Sequence, residues 1–226
     1  MGAVRLIVFD CDGTIVDSAA TIVGSMAAAF TENGLVPPDP ADVRRIIGLP
    51  LPEAVSQLMA ELPAGEVGRV VASYKGAFAA AHTCPDDPDP LFPGVLAAFD
   101  ALDEAGYLLG VATGKSRRGL ERVLGEHGLR HRFVTLRTAD DAPGKPHPAM
   151  LEQAMAEAGA GPRETALIGD TTFDIEMARN ARATAIGVSW GYHEPDELRR
   201  AGAMRVIDSF DGLAALLAAL VPARGG

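Results

Sequence analysis

The chain has 226 residues, enough for one large domain or a main domain with a small companion, and 48% of them are hydrophobic, the content of a globular protein with a substantial core. A formal net charge of −10 and a pI near 4.9 argue against nucleic acid or an anionic membrane as partner, because both need a basic face. Two cysteines, Cys11 and Cys84, are no disulfide framework, and no apolar run reaches the length of a membrane span, the C-terminal LAALLAALV included.

From Met1 the chain passes straight into VRLIVFD, without the basic start and long apolar stretch of an export signal, so a cytoplasmic protein is expected. VRLIVFD reads as a first strand and runs into FDCDGT, where Asp10 and Asp12 stand two residues apart. If the strand continued through both, they would point the same way. Two unit charges about 4 Å apart repel by roughly 4 kcal/mol at an effective dielectric of about 20, so something must compensate the pair.

Between about Ser18 and Ala81 only helical patterns occur: SAATIVGSMAAAFTENG, DPADVRRIIG, PEAVSQLMAEL and EVGRVVASYKGAFAAAH. An all-helical insert of about 60 to 70 residues directly after a first strand reads as a separate small domain sized to cover something. The predicted division is 17–85 for this insert and 1–16 with 86–226 for the main body, and the Pro- and Asp-rich CPDDPDPLFPG forms the linker. Beyond it, strand and helix alternate. The strands are YLLGVAT, RFVTLRTAD, TALIGD, TAIGVSW and MRVID. The legible helices are FPGVLAAFDALDEAG with Pro93 in its first turn, SRRGLERVLGEHG opening on Ser116, and HPAMLEQAMAEAG with Pro148 in its first turn. That alternation predicts an α/β protein: a doubly wound, mostly parallel sheet covered on both faces, with a helical insert. The tail VPARGG is expected to be disordered.

Ligands of open parallel sheets bind outside the carboxyl ends of the strands. Those ends carry Asp10 and Asp12, then Thr113, Gly114 and Lys115, then GKPHP with Lys145, then Asp170 and Asp174. A carboxylate cluster without Cys, and without His at ligand spacing, selects a hard cation, Mg²⁺ first, which is commonly shared between carboxylates and a substrate phosphate. Thr113, where a strand runs into a helix, offers an anion site, and Lys145 adds a point charge. The combination points to a phosphoryl group. With no Ser-His or Cys-His partnership, the available nucleophile is a carboxylate, which gives an aspartyl-phosphate.

The four motifs FDCDGT, VATGK, GKPHP and IGDTTFD, in this order around a helical insert, resemble the haloacid dehalogenase-like hydrolase superfamily, in its phosphoglycolate phosphatase-like branch. The resemblance covers nearly the whole chain and implies a Rossmann-like core with a helical cap. It implies that Asp10 is the nucleophile and that Asp12 is first the general acid and then the general base. Thr113, Gly114 and Lys145 would bind the phosphoryl oxygens. Mg²⁺ would be held by Asp10, Asp170 and the backbone carbonyl of Asp12, with Asp174 nearby. Asp10 would then be ionised and Asp12 protonated, their shared site keeping the two pKa values apart. Many relatives have Asn where this chain has Gly114, and Lys115 is the residue that could replace that contact.

The expected activity is hydrolysis of small organic phosphate monoesters, phosphoglycolate first, with pyrophosphate or a phosphosugar mutase reaction as alternatives and a monomer or homodimer as the assembly. Removal of halide needs no acid two residues after the nucleophile, so Asp12 argues against it. Phosphonoacetaldehyde hydrolysis needs a cap lysine near the GLPL turn, and Lys75 lies far from it. A phospho-accepting receiver module is about half this length and has no insert. In the cap, Arg44, Arg45 and the turn beginning at Gly48 are candidate substrate contacts, although a solvated helix face explains the arginines equally well. Cys11 reads as a buried, inert thiol, Asp174 as a helix-start acid as much as a ligand, His147 as part of a helix start and His193 as a loop residue.

Overall fold

A computed structural model of the chain describes residues 5–59, 64–81 and 88–220. Six strands, each inside one of the apolar runs read from the sequence, are β1 (Leu6–Phe9), β2 (Leu108–Ala112), β3 (Phe133–Arg137), β4 (Thr165–Gly169), β5 (Thr184–Val188) and β6 (Arg205–Ile207). They form one all-parallel sheet in the order β3-β2-β1-β4-β5-β6. The chain winds outward from β1 through β2 to β3, then crosses back to place β4 on the other side of β1. That reversal opens a crevice at the carboxyl ends of β1 and β4.

Alternation along β1 sends its side chains into two cores. Ile7 and Phe9 pack with α5 (Val95–Glu104), α6 (Arg117–Glu126) and α10 (Leu213–Leu220). Leu6 and Val8 pack with α7 (Ala149–Ala158), α8 (Thr172–Asn180) and α9 (Pro195–Ala201). Each such side chain taken fully out of water contributes about 1.5–3 kcal/mol, which fixes the register of the central strand. The Ser116 hydroxyl caps α6 by accepting from Gly119 N–H, and α7 stops at Gly159 in the left-handed conformation, as their sequence signals predict. α5 differs. It begins at Val95 with Gly94 as its N-cap, so Pro93 lies before the helix. The preceding residues are held otherwise: Phe92 N–H donates to Ile15 O, and Leu91 pairs with Val16 in an antiparallel bridge.

That bridge ties together the chain leaving β1 and the chain returning to α5. Between them α1 (Ala19–Glu32), α2 (Pro40–Ile46), α3 (Leu51–Leu58) and α4 (Ala64–Ala81) share a third apolar core, including Met26, Phe30, Val43, Val55 and Val70, which also receives Phe173 and Tyr192 from the sheet side. Cys11 is buried in the first core, and burial pushes its thiol well above the ordinary range; Cys84 and the tail VPARGG lie outside the described residues. Among the described residues no helix is long and apolar enough to cross a membrane.

Candidate active site

The like-charge pair that ends β1 is resolved by a turn and two lysines. Asp10 N–H still bonds Ile168 O of β4 at 2.9 Å, so Asp10 keeps the line of the strand. The chain then curls, with Ile15 and Val16 N–H both donating to Cys11 O, and Asp12 faces other partners. Lys145 Nζ lies 2.7 Å from Asp10 Oδ1 and 2.6 Å from Asp174 Oδ1, whereas Lys115 Nζ lies 2.7 Å from Asp12 Oδ1, which also accepts from Ser18 Oγ. Each acid therefore has its own ammonium group. Burial alone would lower Lys145, but Asp10 and Asp174 outweigh it and hold the ammonium well above its ordinary value. Lys115 is raised in the same way by Asp12, against its own burial.

Beyond β4, Asp170 is fully buried: its Oδ1 accepts from Thr14 Oγ1 at 3.0 Å and its Oδ2 from Tyr192 N–H at 2.9 Å. Asp174 does two things at once. Its Oδ2 accepts from Thr171 N–H and Oγ1 while Thr171 caps α8 in return, and its Oδ1 turns to Lys145. The helix-start and cluster readings of this residue thus both describe it, one oxygen each.

Asp10, Asp170 and Asp174 bring carboxylate oxygens within 4.8 Å of one another, all buried. The group fits a hard divalent cation. Its donors are all oxygen, and although Lys145 stands at ion-pair distance, Asp10 Oδ1, Asp174 Oδ1 and Lys145 Nζ make no hydrogen bond of good geometry. Four buried carboxyl groups here face two ammonium groups. Burial, only partly offset by Lys145, pushes Asp10 up to about 7, and burial with the neighbouring acids raises Asp170 well above the ordinary carboxylate range. The Asp12 carboxylate lies outside this group, because the turn after β1 aims it at Lys115.

The raised Asp10 has a measurable consequence. A carboxyl that holds its proton more tightly folded than unfolded stabilises the metal-free protein most in acid, and this contribution is lost as pH rises from about 4 through about 7. A cation must displace that proton. The Tm gain from adding MgCl₂ is therefore expected to be larger at about pH 8 than at about pH 5, and a gain independent of pH would contradict the site.

At the end of β2 the Thr113 N–H is spent on Arg137 O and the Lys115 N–H on Thr113 Oγ1 at 3.2 Å, which leaves the Thr113 hydroxyl free to donate. Thr113, Gly114 and Lys115 line a cavity of about 770 Å³ whose floor is Asp10 and Asp12 and whose roof is the turn Gly48–Pro50 between α2 and α3. The turn sits so close that two glycines are required beneath it. A Cβ on Gly114 would stand 2.8 Å from Gly48 O, and one on Gly144 would stand 2.0 Å from Pro50 Cγ. Gly114, where Asn is common in the family resembled, thus carries the roof rather than a side-chain contact. Gly144→Ala should hinder this seating and lower kcat/KM for any phosphate ester by about 10²-fold, read in steady-state assays, with little change in Tm.

Lys145, Asp10, Asp170 and Asp174 are thus brought together, with Thr113 and Gly114 at the cavity beside them. Arg45 is not: its guanidinium pairs with Glu197 at 2.8 Å on the surface, and only its carbonyl meets the site side, accepting from His193 Nε2 at 3.0 Å. Gly48 does line the cavity. His193, read as a loop residue, accepts from Thr172 N–H through Nδ1 and so links α2 to the loop that carries Asp170. Ser18 and Tyr192 are site residues that sequence reasoning missed: Ser18 meets Asp12 six residues earlier through the curl of the turn after β1, and Tyr192 meets Asp170 from a separate loop.

The family model for haloacid dehalogenase-like hydrolases matches residues 7–188. The chain belongs to that family. Curated relatives of this haloacid dehalogenase-like hydrolase include a Dickeya dadantii protein named "Probable phosphatase IndB", 38% identical over 91% of the chain and 90% of the relative. Another is a phosphoglycolate phosphatase of Agrobacterium fabrum, 30% identical over 83% and 81%. The crystal structure of a hydrolase from Pseudomonas syringae superposes with a TM-score of 0.82 at 27% identity, over 94% of this chain and 97% of that one. The haloacid dehalogenase-like chain is a phosphatase of this family.

Proposed function

We propose that the chain is a Mg²⁺-dependent phosphomonoesterase working through an aspartyl-phosphate on Asp10, with residues 17–85 as a cap over the core of 1–16 and 86–226. The observation that carries this reading is the buried group of Asp10, Asp170 and Asp174 with Lys145, of which Asp10 also lines the cavity under the Gly48–Pro50 turn. Asp10, Asp170 and Asp174 would hold the cation, which when bound screens the charge of the phosphoryl group and keeps Asp10 ionised.

An Asp10 carboxylate oxygen attacks phosphorus, the bond to the leaving oxygen breaks, and that oxygen takes its proton from Asp12. Water then attacks phosphorus and gives a proton back to Asp12, and the bond to Asp10 breaks, regenerating the carboxylate. Lys145, beside Asp10, and the Thr113 hydroxyl at the cavity wall would hold phosphoryl oxygens, and Lys115 and Ser18 would keep Asp12 oriented at its own post. The roof turn excludes water from the cavity during transfer.

Phosphoglycolate comes to this chain through relatives that carry that name, while the chemistry above serves any phosphomonoester. Assay of the purified protein against a panel of phosphate esters should show turnover with MgCl₂ that EDTA abolishes. Turnover that persists in EDTA would exclude the metal-dependent reading.

A further inference from the structure

The loop between β5 and α9 touches both α1 to α4 and the acids after β4. The Tyr192 ring packs in the core that α1 to α4 share, while its N–H donates to Asp170 Oδ2 at 2.9 Å. His193, beside it, is buried and joins the same two sides through its ring nitrogens. Thr172 N–H donates to Nδ1 at 3.1 Å, so Nδ1 carries no proton. Arg45 O can only accept, so the proton sits on Nε2, 3.0 Å from it. That carbonyl belongs to the last turn of α2, where backbone acceptors lack helical partners. Both polar atoms of the imidazole are therefore used, one on each side. Thr172 opens α8, two residues after Asp170 and two before Asp174. Its neighbour Phe173 meets the imidazole edge-on, with centroids 5.4 Å apart, and packs in the core of α1 to α4.

Resting on the cation site of the reading above, we propose that His193 is a positioning residue for the metal-dependent reaction: it sets the start of α8, and with it the spacing of Asp170 and Asp174, against the docked end of α2. The site then takes its cation tightly only while α2 is seated. Because the bonded N–H stands midway between the two acids in the chain, any shift of Thr172 moves both carboxylates. Groups that orient metal ligands from outside the ligand set are typically worth about 10- to 100-fold in metal affinity. Linkage makes the effect reciprocal: the cation holds α2 down by the same factor that seated α2 adds to cation binding.

The test is the MgCl₂ dissociation constant, read by isothermal titration calorimetry on the intact protein without substrate, for wild type, His193→Asn and His193→Gln. The Asn amide offers an acceptor near the place of Nδ1 and nothing near Nε2, so Thr172 stays held and Arg45 O is released; the Gln amide does the reverse. Both variants are expected to bind Mg²⁺ about tenfold more weakly, because the link needs both ends. A residue that only supports the fold would lower the Tm in EDTA and leave the dissociation constant where it was. Either variant binding Mg²⁺ within about twofold of wild type would overturn the proposal and leave the phosphatase reading standing. No Mg²⁺ binding by the wild-type protein would overturn both.

Discussion

Asp10→Asn is expected to cut phosphate-ester turnover by a factor on the order of 10⁴ to 10⁶ while leaving the Tm at neutral pH unchanged or higher. The two halves of this expectation come from one residue's surroundings. Asp10 is the carboxylate that ends the central strand, pinned by its N–H to Ile168 O, with its side chain at the cavity floor. An amide there keeps the shape and loses the nucleophile. Burial that pushes the carboxyl up to about 7 shows that the folded metal-free site disfavours the charge, so removing it relieves the protein. Lys145 retains Asp174 at 2.6 Å as partner. Steady-state kinetics beside a thermal melt would read both effects, and an Asp10→Asn variant retaining more than about a hundredth of wild-type turnover would exclude Asp10 as the nucleophile.

Lys145→Met should have the largest effect on stability. The lysine side chain is fully buried, and its ammonium is the cation nearest both Asp10 and Asp174. Breaking a buried ion pair by removing one partner typically costs about 3–5 kcal/mol, because the other charge is left uncompensated. Two carboxylates lose their partner here, so the upper part of that range is expected in urea denaturation of the metal-free protein. MgCl₂ should return part of the loss by supplying charge to the same oxygens, although turnover should stay low, since Met offers the phosphoryl group nothing. A stability loss under about 1 kcal/mol would mean that the acids are protonated or hydrated rather than held by Lys145.

The parts of this site that could be read in the sequence are those carried by strand ends. Asp10, Thr113 and Asp170 each follow an apolar β-branched run, and the parallel sheet brings such ends together whatever the intervening chain does. The central strands β1 and β4 are buried on both faces, which leaves their alternating side chains only one workable register. What escaped the sequence depends on distant loops meeting. Lys115 could be named but not paired, because its partner Asp12 comes from a turn about a hundred residues earlier. Arg45 looked as suited to the cavity as Gly48, yet Glu197 of α9 takes its guanidinium and the glycine turn makes the roof. Pro93 is a fair helix-start signal, but the Val16 and Leu91 bridge keeps the chain extended until Gly94 turns it. The compensation for the FDCDGT charge pair lies in two lysines, Lys145 beside Asp10 and Lys115 beside Asp12, which spacing alone could not show.

The central claim is that Asp10 takes the phosphoryl group and that Asp12 is needed to hydrolyse it away. Asp12→Ala keeps Asp10, Asp170, Asp174 and Lys145 and removes the base that activates water, so the covalent species should accumulate. The decisive measurement is mass spectrometry of Asp12→Ala protein quenched in acid after mixing with MgCl₂ and a reactive phosphate ester. The account predicts one phosphoryl group on the peptide that contains Asp10. A phosphoryl group on another residue, or full turnover by this variant with no phosphorylated peptide, would contradict it.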